Sequence, residues 1–115
     1  MFKFHHYAIE CANIEEVLSF YQNVIGVRLE NKVHFEGKMV WFLTLGAFRL
    51  EIVEEEGPAG SGHLCFRVED LDAAMRRMEG ASLTVQEGPY ELENGWRTVF
   101  FNGPGGETIE LLELS

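Results

Sequence analysis

The chain has 115 residues, 46% of them hydrophobic and nine of them Phe, which suits one soluble domain with a real core and excludes a disordered chain. Nineteen acidic side chains face nine basic ones, for a formal net charge of −10. That balance argues against nucleic acid or an acidic membrane surface as a partner, since either would repel the chain.

No apolar run approaches the roughly 20 residues that a membrane span needs. The start, MFKFHHYAIEC, has neither a sustained apolar run nor a cleavage site, so no secretory leader is expected. Two cysteines, Cys11 and Cys65, are too few for a disulfide scaffold and fit free thiols in the cytoplasm.

In chain order, residues 4–12 alternate in polarity and read as a strand. Asn13, with Glu16 three positions on, reads as a capping box for a helix from Ile14 to about Val24, stopped by Gly26. Strands are predicted over 27–35, 39–45 and 47–54. The stretch EEEGPAGSG (54–62) reads as a flexible connector. A strand follows over 63–69, then a helix capped by Asp70 and ending at Glu79 and Gly80. Strands over 83–87, 96–101 and 107–114 complete the chain. The order is βαβββ, twice.

The two halves also match each other. At an offset of 57, His6 falls on His63 and Asn13 on Asp70. The helix positions Ile14, Val17, Leu18 and Tyr21 fall on Leu71, Ala74, Met75 and Met78, with the i, i+3, i+4, i+7 spacing of one helix face. At an offset of 59, FRLEIVE (48–54) falls on ETIELLE (107–113). The fold expected is α+β: one domain over 1–115, made of module 1 (4–56) and module 2 (61–114). Modules of this size are too small to be comfortable alone, so they should pack on each other or on those of a second chain.

Strand parity then selects four residues. Side chains alternate between the two faces of a strand. Leu50 and Ile52 share one face, and so do Ile109 and Leu111; these should cover the helices. The opposite face carries His6, Glu51, His63 and Glu110, one from each of four strands. Singly, each is ordinarily a solvated strand residue. The symmetry lifts the set: each half offers one His in its first strand and one Glu in its last. Two imidazoles and two carboxylates suit a divalent first-row metal such as Ni, Co, Mn or Fe, with Zn as a further option.

The segments that carry these residues resemble a known superfamily. FHHYAIEC with NIEEVLSFYQNVIGVRL, then GHLCFRVEDLDAAM and GWRTVFFNGPGGETIELLEL, are similar to the two modules of vicinal oxygen chelate proteins. These include glyoxalase I, bleomycin-resistance proteins and extradiol dioxygenases. The likeness spans residues 4 to 114 and includes Phe20, Tyr21, Val24 and Gly26 and the ending PGG-x-x-IEL. It implies βαβββ modules paired into a cup-shaped, partly open β-barrel around one metal, with ligand positions at His6, Glu51, His63 and Glu110.

That His–Glu–His–Glu set is similar to the bacterial glyoxalase I type. The resemblance therefore implies a lactoylglutathione lyase-like metalloenzyme. It would move a proton through a metal-bound enediolate on a substrate such as a methylglyoxal–thiol hemithioacetal. Glu110 is assigned as the base ahead of Glu51, and the imidazoles must be neutral to bind, so activity should fall in acid. The alternatives are a small-molecule, antibiotic-like binding protein of the same fold, or an epimerase or dioxygenase of the superfamily. The chain is shorter than typical glyoxalase I and shows no glutathione-binding arginine motif. Glutathione or another thiol as co-substrate therefore stays open. A homodimer is expected, as the superfamily usually forms one.

Around this site, Arg49, Cys65, Arg67, Trp96 and Arg97 are the candidate pocket residues. The ordinary alternative for Cys65 is a buried inert thiol. For Arg67 it is an ion pair with Glu10. For Trp96 it is a place in the core or an interface. His5 has the wrong parity to join His6 and reads as structural.

Overall fold

The computed structural model describes residues 3–35, 37–56 and 63–115. The chain divides into two compact units, Met1–Gly60 and Ser61–Ser115. The connector over 57–62 lies outside the described residues.

The first unit runs β1 (Tyr7–Cys11), α1 (Ile14–Phe20), a π-helical turn (Tyr21–Ile25), β2 (Arg28–Phe35), β3 (Lys38–Leu45) and β4 (Phe48–Glu54). Its four strands form one sheet in the order β1-β4-β3-β2. β1 lies parallel to β4, and the other neighbours are antiparallel. The second unit repeats the plan with β5 (His63–Arg67), α2 (Leu71–Gly80), β6 (Thr84–Glu91), β7 (Arg97–Asn102) and β8 (Thr108–Glu113), in the sheet order β5-β8-β7-β6. The fold is α+β, two βαβββ modules, each with a four-stranded sheet.

The alternation in the last strands sets the core. Leu50, Ile52 and Ile109 are fully buried and Leu111 nearly so, while Glu51 and Glu110 point the other way. Val17, Phe20 and Tyr21 from the first helical segment are buried, as are Leu71 and Met78 of α2.

Three local readings need correction. The helix predicted from Ile14 to about Val24 is α-helical only to Phe20 and then widens into the π-turn. Gly26 does end it, in the left-handed conformation at φ 95°. Asn13 forms no capping box: its side chain gives no cap bond to the helix, and its amide donates to the Glu16 carboxylate, at 3.0 Å. Finally, β6 runs on past 87 to Glu91, through Gly88-Pro89, because a register irregularity absorbs the proline at this edge of the sheet. Among the described residues no helix is long and apolar enough to cross a membrane.

Candidate metal centre

In the first unit, the parallel pairing of β1 with β4 sets Ala8 beside Glu51, and the antiparallel pairing of β3 sets Phe42 on the other side of it. His6 stands immediately before β1. Its Nε2 lies 3.0 Å from Glu51 Oε2. The Phe42 ring meets the imidazole edge-on, with centroids 5.5 Å apart. The other ring nitrogen, Nδ1, lies 2.9 Å from Nδ1 of His5, so one of these two rings donates and the other accepts.

The second unit builds the same arrangement. Glu110 on β8 is flanked by Cys65 of β5 and Phe100 of β7. His63 Nε2 lies 3.1 Å from Glu110 Oε1, and Phe100 meets its ring edge-on at 5.9 Å. Here the carboxylate has further partners. The Thr98 hydroxyl lies 2.5 Å from Glu110 Oε2 and 3.1 Å from the Leu111 carbonyl. The Cys65 thiol also bonds to Glu110, and burial and the nearby carboxylate together push it up to about 11. Cys65 as a residue is exposed, so the burial expected of it does not hold, and Cys11 is the buried one; the raised thiol keeps Cys65 unreactive all the same.

The remaining pocket candidates are placed as follows. Arg49 makes a two-pronged ion pair with Glu30, Nε to Oε1 at 2.8 Å and Nη2 to Oε2 at 3.0 Å, and donates through Nη1 to the His5 carbonyl. That pairing raises the arginine and holds the Glu30 carboxyl below its usual range. Arg97 reaches Asp72 at 3.2 Å and Glu113 at 3.8 Å. Both guanidinium groups are thus engaged within their own unit. Arg67 is exposed on β5. Trp96 is half-buried, with its backbone closing the turn onto Leu92.

Two further residues belong to this arrangement. Strand parity says nothing about His5, because β1 begins only at Tyr7. Thr98 carried no signal, since a single Thr in the apolar run RTVFFN marks nothing without the strand register.

Against known families, residues 3–111 match the Glyoxalase/Bleomycin resistance protein/Dioxygenase superfamily. The chain belongs to this superfamily. It is 30% identical to the uncharacterized protein YaeR of Escherichia coli, over 95% of this chain and 94% of that one. It is 26% identical to the lactoylglutathione lyase of Pseudomonas aeruginosa, over 97% of this chain and 82% of that enzyme. Among solved structures, it superposes with a TM-score of 0.85 on a variant of the fosfomycin resistance protein FosX from Listeria monocytogenes, in complex with Mn(II) and 1S,2S-dihydroxypropylphosphonic acid. There the identity is 13%, over the whole of this chain and 94% of that one, so the likeness is one of fold.

The two His–Glu pairs of this superfamily member fit a divalent metal in donor chemistry. Each offers an imidazole nitrogen and a carboxylate oxygen. Within both pairs the nitrogen and the oxygen lie about 3 Å apart, close enough for one ion to be held by both. Among the described residues no group of three or more His, Cys, Asp or Glu side chains is disposed to hold a metal, so each pair supplies two donors and no more.

Proposed function

We propose that the protein is a metal-dependent lyase or isomerase of glyoxalase I type, with His6, Glu51, His63 and Glu110 as its four ligands. The observation that carries this reading is the repetition of one geometry. Each unit sets a His Nε2 about 3 Å from a Glu carboxylate on its last strand, with a Phe packed edge-on against the imidazole. A solvated surface would have no reason to build this twice.

A bound divalent ion would supply Lewis-acid stabilisation of negative charge on two adjacent substrate oxygens. The chain's own residues do the rest. His6 and His63 bind as neutral imidazoles. Glu110, ahead of Glu51, takes the proton from the substrate carbon and returns it to the neighbouring carbon. The substrate is a small vicinal-oxygen compound such as a methylglyoxal–thiol hemithioacetal, with glutathione or another thiol as its sulfur donor. The protein works as a cytoplasmic homodimer. The family match and the 26% identity to a lactoylglutathione lyase support this class of reaction.

The test is metal content followed by turnover. After supplementation with Ni, Co, Zn or Mn the purified protein should hold stoichiometric metal and isomerise the hemithioacetal. Glu110→Gln should lower kcat by at least about a hundredfold, the usual contribution of a positioned base. A protein that stays metal-poor under every supplement is a binding protein and no enzyme of this type.

A further inference from the structure

The two pairs are similar but not equivalent: Glu110 faces the Cys65 thiol where Glu51 faces Ala8, and a buried residue of the middle strand differs as well. In β7, Thr98 pairs with Leu112, two residues past Glu110. The corresponding position in the first unit is Val40, which pairs with Val53, two residues past Glu51. Both side chains are buried, Thr98 at 4% exposure and Val40 at 6%. They therefore fill the same kind of space, but only the threonine brings a hydroxyl.

That hydroxyl has one hydrogen and two acceptors in reach, Glu110 Oε2 at 2.5 Å and the Leu111 carbonyl at 3.1 Å. The carboxylate is the closer and, when ionised, the stronger acceptor. The bond holds Oε2 and leaves Oε1 facing His63 Nε2. A buried donor on a strand is a rigid anchor, so the rotation of the Glu110 carboxylate is fixed by the sheet and not by solvent. Glu51 has no hydroxyl at the matching place. It is held by His6 on one oxygen, and its neighbour Val40 cannot donate.

We infer that Thr98 is a positioning residue: its hydroxyl presents Glu110 to the metal in a fixed orientation, so that the second unit carries a preset half of the ligand set and the first unit an adjustable one. This inference rests on the metal reading proposed above. Outer contacts to a ligating side chain commonly change metal affinity by about 10- to 100-fold, and Thr98 is placed to act in that way.

The experiment is a titration of the metal-free protein with Co(II) alone, read by calorimetry and by the visible absorption of the bound ion, with no substrate present. Thr98→Val keeps the side-chain shape and removes the donor. It should weaken Co(II) binding by about 10- to 100-fold and alter the absorption bands, while Thr98→Ser, which restores the hydroxyl, should lie within about threefold of wild type. Should the valine variant fail to fold, Thr98→Ala against Thr98→Ser makes the same comparison. If Glu110→Gln loses Co(II) but the hydroxyl-free Thr98 variant binds it as wild type does, the positioning role is overturned and the metal reading stands. If the wild type itself takes up no Co(II), the metal reading falls and this inference falls with it.

Discussion

Cys65 lies on the exposed surface of β5, directly across from Glu110 in the strand register. Exposure alone would suggest a reactive thiol, but reactivity follows the thiolate. Partial burial and the Glu110 charge both disfavour the anion and raise the thiol to about 11. The direction is clear: a raised thiol pKa means less thiolate at any pH below it. Metal-free protein treated with iodoacetamide at pH 8 should therefore label Cys65 roughly a hundredfold more slowly than an ordinary thiol, with the rate climbing until about pH 11. Rapid labelling at pH 8 would show that the thiol does not share the Glu110 environment. Parity in the sequence placed Cys65 on the His63 side of its strand. It could not supply the neighbour across the sheet, because that depends on which strands pair and in what register. The same missing information concealed Thr98. Alternation did make legible that Glu51 and Glu110 face away from the buried Leu50, Ile52, Ile109 and Leu111, because that needs only one strand at a time; the approach of His6 to Glu51 needed the pairing of β1 with β4 as well.

The two helices show how alike two sequences can read and how differently they start. Asp70 accepts a hydrogen bond from the Ala73 backbone N–H at 3.1 Å, and the Glu113 carboxylate accepts one from Leu71 N–H at 2.7 Å. Two of the free donors at the start of α2 are thereby satisfied. α1 has acidic residues in its first turn but no side-chain cap from Asn13. Asp70→Ala should thus cost about 1 kcal/mol in urea unfolding, the usual effect of losing a cap, and Asn13→Ala clearly less. Equal losses would mean that Asn13 caps after all. From sequence, Asn13 and Asp70 are aligned and both are good capping residues. What separates them is backbone conformation, extended at Asp70 (φ −133°, ψ 103°) and not at Asn13 (φ −90°, ψ 62°). The π-turn at Tyr21–Ile25 was illegible for a related reason: the apolar spacing of a helix does not reveal where its hydrogen bonds lengthen by one residue.

For the molecule as a whole, the net charge of −10 is the setting in which a cation would bind. Glu51 and Glu110 each rest against a histidine and are only partly exposed. Occupation of the proposed ligand set should stabilise the folded state by mass action, by about 2.7 kcal/mol at a free metal concentration one hundred times Kd. The melting temperature should rise with added Co(II) and fall back with EDTA in the wild type. Glu110→Gln should show little of either response. A melting temperature indifferent to metal in the wild type would remove the thermodynamic basis of the proposal.

The pairing of the first strand of each unit with its last has a kinetic meaning. Tyr7 aligns with Leu50 and His63 with Thr108, partners more than about forty residues apart along the chain. The hairpins β2–β3, β3–β4, β6–β7 and β7–β8 join neighbours and can close early. β1 and β5 must wait until the far end of the unit is in place, because ordering a long loop carries an entropic cost before its contacts form. His63 opens β5 and His6 stands immediately before β1, while Glu51 and Glu110 lie on the strands that receive them. Each half of the proposed ligand set should therefore be assembled at the last step of its sheet, so a partly folded chain should hold its carboxylates in order before it has an imidazole to set beside them.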